Sequence, residues 1–475
     1  MTVVDRRASV GAAISIAAEL RALLASAPAG QRPLVAATRP IGSVDPIDFF
    51  GSARALDLEA ALWLQPAAER SIVGIGRAWA VEPAGVDRFA LGADAWRTVM
   101  ADAVLSGVGE AGPTLLGGLG FTGRIPAMDD PWRPFGPASL VLPTFCVTRD
   151  GSATTLTVAL APGRVEDPDP DEVEAAWESL ARDAGAREEV SAAPAPLRVV
   201  EERPDQATWE RTVGLFAGAV GRGRIDKVVL ARRIVFRAAA DLDVVGALRH
   251  LARTAPESTT FAFVRGGTTF IGATPERLVR TSGRAFETVA IAGSAARGRD
   301  AAEDARLATA LLASEKEREE HAVVVDMLRA SLTPIVEDLR IAEAPSVLPL
   351  AHLQHLMTPI SGTTRDEAGL LALAGRLHPT PAVGGTPRDV ALGLIEEHEA
   401  FDRGWYAGPI GWLGADGDGE MMVALRCGLV SGSEATLFAG CGIVADSDPA
   451  REWEESRLKL RTMIAALGGA GEPDR

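Results

Sequence analysis

The stretch LFAGCGIVADSDPAREWEESRLK, residues 437–459, carries three structural signals in succession. An apolar run into Gly440 and Gly442 reads as a strand and its exit. Asp448 then stands as an N-cap with Pro449 at the first helical position, and a helical pattern continues until Gly468 and Gly469 stop it. Glycines at such a strand end let backbone N–H groups approach an anion, helped by the positive end of the helix that follows. A plain tight turn uses the same glycines, so this segment speaks for architecture before chemistry.

Working outward, FAFVRGGTTFIG (261–272) is two apolar runs joined by Gly266 and Gly267, a hairpin signal. KVVLARRIVFRA (227–238) and RAFETVAIAG (284–293) add strands, so an antiparallel sheet is expected. Asp300, with Glu303 three residues on, opens a helix expected to run on until just before Pro334. Earlier in the chain, RSIVGIGRAWAV (70–81) and SLVLPTFCVT (139–148) read as strands and ALGADAWRTVMADAVL (90–105) as a helix. The acidic, proline-bearing run 165–205 reads as a connection with one short helix, and suggests a soft boundary that separates 1–200 from 201–467.

A chain of 475 residues with 47% hydrophobic and 24% charged residues, and no apolar run of bilayer length, describes a soluble globular protein. The formal charge of −16 argues against nucleic acid and against anionic membrane as partners. Cys146, Cys427 and Cys441 are too few and too scattered for a disulfide framework or a zinc site, which fits the cytoplasm. Arg6 and Arg7 precede a small-residue stretch, but Glu19 and Arg21 interrupt it, so the first twenty residues read as an amphipathic helix rather than an export signal.

Two E-x-x-E pairs stand out, Glu317 with Glu320 and Glu452 with Glu455, each on one face of an expected helix. Facing pairs would form a hard, anionic oxygen cage suited to Mg²⁺. A solvated helix face shows the same spacing. Arg426, inside the apolar run MMVALRCGLV, and Lys459, on the face of Glu452, could each take a carboxylate or serve as paired structural cations. Lys227 at the start of a strand and Glu276 in GATPERLVR are a base and an acid in want of a substrate, since burial moves both toward neutral pKa values.

DKVVLARR, IGATPERL, IAGSAARGR, SEKEREEHAVVVDML, LQHL, HPTPAVGGTP, RGWYAGPIGW, ALRCGL and AGCGIVADSDPAREWEESRLK occur in this order and, together, resemble the chorismate-utilising enzymes. The likeness covers about 205–465, and GGLGFTGR with WRPFGPASLVLPTF extends it upstream toward isochorismate synthases of the menaquinone type. It implies one large α/β (α+β) fold of two stacked antiparallel sheets wrapped by helices, the N-terminal part adding strands to it. It implies Mg²⁺ held by Glu320 and Glu455, with Glu317 and Glu452 beside them. Lys227 would be the base that activates water and Glu276 the acid. Tyr406 and Arg426 would hold the enolpyruvyl carboxylate of chorismate; Gly440, Gly442 and Lys459 would hold the ring carboxylate. Ser294, His355 and Thr380 match pocket positions, and His378 is either functional or structural.

Within the family, ammonia-using members lack the base lysine, so no glutaminase subunit is expected. A monomer or weak homodimer is expected as well. A salicylate synthase, which adds pyruvate loss, shares the lysine; Ser294 in place of threonine resembles the isochorismate synthases more. A silent ligand-binding relative would not need the whole set. Whether the product feeds quinone or siderophore synthesis stays open.

Overall fold

Among the described residues, strands gather into one sheet of fourteen and one of ten. The computed structural model describes residues 2–3, 15–28, 33–107, 111–161, 169–185, 196–349, 353–365 and 369–469. Segments from either side of residue 200 share both sheets. In the larger, Ala60–Gln65 pairs antiparallel with Thr259–Arg265; in the smaller, Thr114–Leu119 pairs with Pro409–Gly414. The pairing is antiparallel save at one edge, where Val35–Pro40 runs parallel to Val104–Ser106.

Period-two alternation decides which side chains meet. Trp63, Phe261, Phe263 and Phe270 point from the larger sheet into a core shared with Ile410 and Met421 of the smaller and with Trp405 in the turn before it. Their neighbours Leu62, Ala262, Val264 and Ile271 point the other way, onto Phe49, Phe50, Leu248 and Leu460 of the outer helices. Stacked sheets with helices outside follow from that alternation. The hairpin forms as expected: Gly266 and Gly267 take φ of 51° and 77°, the left-handed pair that a two-residue turn requires, and Arg265 faces Thr268.

Local expectations change as well: the helix expected over 90–105 is Arg88–Ala101, and Val104–Ser106 after it is a strand. The helix expected to run unbroken from Asp300 is two, Ala301–Ala313 and Glu315–Leu332. Ser314 takes an extended conformation (φ −68°, ψ 115°) and its hydroxyl accepts from Glu317 N–H, so it ends one helix and caps the next. The short helix of the acidic connection is Pro170–Gly185, whose Val173, Leu180 and Ala184 are buried against the helices Ile16–Ser26 and Pro46–Ala55. Of the N-terminal twenty, Ile16 onward is helical with Ser15 as cap, while Arg6 and Arg7 lie outside the described residues.

The last helix, Pro449–Ala466, begins as its caps predict, with Asp448 Oδ1 accepting from Arg451 N–H at 2.9 Å. It packs on the strand Glu434–Ile443 of the larger sheet, while the Glu315–Leu332 helix packs on Ala285–Ala296 of the smaller. Both E-x-x-E pairs thereby arrive where the two sheets meet. No helix among the described residues is long and apolar enough to cross a membrane.

Candidate active site

A cavity of about 410 Å³ opens between the sheets, and every expected site residue lines it except Thr380. The larger sheet supplies Lys227, Gly440 and Gly442; the smaller supplies Ser294 and His355; the two helices bring Glu317, Glu320, Glu452, Glu455 and Lys459.

Lys227, the first residue of the strand Lys227–Arg237, reaches Glu320, with Nζ 2.5 Å from Oε1. Lys459 makes the matching pair with Glu455 at 2.7 Å and donates to Gly440 O at 2.9 Å. Burial lowers the Lys459 pKa, but Cys441 and Glu455 beside it more than offset that and hold it above the usual value. Glu455 in turn stays below the usual carboxylate value because Lys459 outweighs burial. Glu452 has no lysine ion pair among the described residues, and burial raises its pKa.

Glu276 has its backbone pinned, its carbonyl accepting from Val423 N–H at 2.9 Å. Burial of the carboxyl pushes its pKa up to about 7, against the pull of the Lys227 charge. A glutamic acid that keeps its proton near neutrality therefore faces the same cavity as a lysine.

Among the described residues the N–H groups of Gly440 and Gly442 take no partner on the neighbouring strand. Their partners across the ladder, Ala231 and Val229, donate instead to Glu399 and to Gly384 O. Residues 440 and 442 are thus the non-bonded pairs of the register, with backbone N–H turned from the neighbouring strand. Cys441 between them points elsewhere, its thiol donating to Glu452 O and raised in pKa by burial.

Ser294 follows a bulge at Gly293, whose φ of 74° is left-handed. The bulge turns Ser294 N–H onto Glu317 Oε2 at 2.9 Å and sets Ser294 Oγ 2.8 Å from His355 Nδ1. Burial, with Lys459 and Arg426 nearby, lowers His355 to about 4, so it is neutral at pH 7. Tyr406 stacks on Phe438, and burial raises its phenol pKa. Arg426 has no carboxylate within ion-pair distance among the described residues, which leaves a cation facing the cavity.

Residues 20–468 match the family model described as chorismate binding enzyme. The chain belongs to the chorismate-binding enzymes. It is 40% identical over 456 residues to the salicylate biosynthesis isochorismate synthase of Pseudomonas aeruginosa, covering 95% of this chain and 94% of that one. It is 33% identical over 451 residues to isochorismate synthase MenF of Bacillus subtilis, covering 92% and 94%. Among solved structures it resembles MenF, the menaquinone-specific isochorismate synthase from Escherichia coli, with a TM-score of 0.77 and 26% identity over 95% of this chain and 99% of that one.

In this chorismate-binding enzyme Thr380 and His378 stand apart from the cavity lining. Thr380 is buried and does not border the cavity, and its hydroxyl makes no hydrogen bond among the described residues. His378, open between a functional and a structural role in the sequence, is buried against Phe89 and Phe121, bonds Phe121 O through Nε2 at 3.0 Å, and is lowered to about 3 by burial.

The structure adds residues that the motifs carried unremarked. Arg403, buried with Glu399 at 2.5 Å, donates to Val229 O and Val383 O and ties the Lys227 strand to the wall. Ala407 and Arg426 both hold left-handed φ, 60° and 49°, a backbone strain that clusters at functional sites. A single E-x-x-E or an R-G-W-Y run carries no signal for either.

Proposed function

We propose that this protein is an isochorismate synthase, adding water at C2 of chorismate as the C4 hydroxyl departs. The observation that carries the reading is that Lys227 and Glu276, its carboxyl raised by burial, line one cavity together with Arg426 and Lys459. Lys227 takes a proton from water as its oxygen bonds to C2. The ring double bonds shift, the C4–O bond breaks, and Glu276 protonates the leaving oxygen. Acid and base on separate positions suit a reaction that adds and removes hydroxyl two carbons apart.

Arg426 and Tyr406 would receive the enolpyruvyl carboxylate, and Lys459 with the N–H groups of Gly440 and Gly442 the ring carboxylate. Ser294 and His355 would orient the ring, with Thr380 just behind the pocket they line. Residues 1–200 and 201–467 would act as parts of one catalytic fold.

For Mg²⁺ the donor set fits. Glu452 and Glu455 offer oxygens within 4.8 Å of each other, and Glu317 and Glu320 line the same cavity from the other helix. Cys441, third in that grouping, is a protonated thiol turned to Glu452 O and suits a hard cation poorly. Bound there, Mg²⁺ would supply positive charge against the substrate's carboxylate. Water rather than ammonia as nucleophile removes the need for a glutaminase subunit.

The test is purified protein with chorismate and Mg²⁺, following isochorismate by chromatography and pyruvate through a coupled dehydrogenase. Isochorismate without stoichiometric pyruvate is expected. Salicylate and pyruvate in equal amounts would assign the lyase step to this protein as well, and no consumption of chorismate would overturn the reading.

A further inference from the structure

Lys316 and Asp446 also border the cavity, outside the set assigned above. Lys316 is in the first turn of the Glu315–Leu332 helix, immediately before Glu317. Asp446 is in the turn between Glu434–Ile443 and the last helix, two residues before the Asp448 cap. Their side chains meet, Nζ 2.5 Å from Oδ2.

Each end of this pair is held by its own local bonds. Ser314 caps the first helix through Glu317 N–H. Ser447 closes the other turn, its Oγ accepting from Val444 N–H at 3.1 Å and its N–H donating to Val444 O at 3.2 Å. One helix rests on the smaller sheet and the other follows a strand of the larger. The ion pair thus spans two separately braced bodies, at the ends that carry the carboxylates.

Both side chains are more than half exposed, 58% and 62%. An exposed pair adds at most about 1 kcal/mol to stability, so its consequence is sought in geometry. We propose that the Lys316–Asp446 pair is a strap that sets the separation of Glu317 and Glu320 from Glu452 and Glu455, and through it the cavity's affinity for a divalent cation. Lys316 and Asp446 are positioning residues, and the inference rests on the reading that those carboxylates hold Mg²⁺.

Charge and geometry predict opposite signs for one variant. As a mere cation beside Glu317 and Glu320, Lys316 repels a second cation, so Lys316→Met would tighten Mg²⁺ binding. As a strap, its loss lets the two helix ends drift and weakens binding.

The experiment is calorimetric titration of Mg²⁺, without chorismate, into wild type, Lys316→Met, Asp446→Asn and the charge-swapped Lys316→Asp/Asp446→Lys protein, with a thermal melt of each metal-free form. Weakening by about fivefold in both single variants is expected, the equivalent of the upper end for an exposed pair. Recovery in the charge swap and nearly equal melting temperatures are expected with it. Tighter or unchanged binding by Lys316→Met, or no recovery in the swap, would overturn the strap. If wild type binds no Mg²⁺ at all, the functional reading beneath the strap fails instead.

Discussion

Lys227 passes over the bare α-carbon of Gly442. The two lie on neighbouring strands, Val229 opposite Gly442 and Val228 opposite Ile443. A Cβ at 442 would stand 2.4 Å from Lys227 Cε and 3.0 Å from Nζ. Glycine is required there for space, since the lysine reaches Glu320 through the room a side chain would fill. In Gly442→Ala the flexible lysine end gives way before the sheet does, so the melting temperature should hold. Turnover should drop by about 10²-fold, the scale of a misplaced catalytic group. Steady-state kinetics beside a thermal melt checks both halves, and unchanged kcat would detach Lys227 from its path over Gly442.

Lys227→Ala removes the proposed base outright. Loss of kcat by about 10²–10⁴-fold is expected, the usual contribution of a positioned proton acceptor. Chorismate binding in the presence of Mg²⁺, read by calorimetry, should survive, because Arg426 and Lys459 remain. Retained turnover would strip Lys227 of its assigned role.

Glu276 links function to stability through pH. Its folded pKa, raised by burial to about 7, exceeds the ordinary 4.5. The folded state therefore holds the proton more tightly than the unfolded chain does. Its contribution is complete below about 4.5 and is lost as pH rises through about 7, a swing of up to ~3 kcal/mol. Glu276→Gln cannot ionise, so it should melt higher than wild type at pH 8 and gain less at pH 5. The same ionisation predicts that kcat declines above about 7 as the proposed acid loses its proton. Melts at the two pH values test the linkage without any substrate.

What was legible in the sequence was local. Gly266 and Gly267 announce their hairpin because only a left-handed pair closes a two-residue turn. Asp448 and Pro449 announce a helix start through their own backbone needs. The nine ordered motifs brought almost the whole cavity together, since residues that meet a ligand are carried by short runs. Non-local pairings were not legible. Nothing near Ala60–Gln65 names Thr259–Arg265 as its partner, and Arg403 reads as any surface arginine until its carbonyl partners arrive from other elements. Ser314 escaped for a different reason: the S-x-x-E start signal sits inside a continuing helical pattern and was outweighed by it.

The carboxylates offer the last test. Glu320 and Glu455 are each paired with a lysine in the metal-free arrangement, at 2.5 and 2.7 Å, so a cation arriving at either must compete with an ammonium for the same oxygens. Glu319 shares the helix of Glu320 but is exposed and does not border the cavity. Neutralising a true ligand removes both charge and donor, whereas Glu319→Gln removes only a screened surface charge. Glu320→Gln and Glu455→Gln should therefore raise the Mg²⁺ concentration for half-maximal activity by about tenfold or more, the scale seen when a metal site loses even a supporting partner. Glu319→Gln should leave it within about twofold of wild type. Titration of activity against Mg²⁺ at fixed ionic strength decides it: equal shifts in all three proteins would mean that the bulk negative field, rather than a set of ligands, draws the cation in.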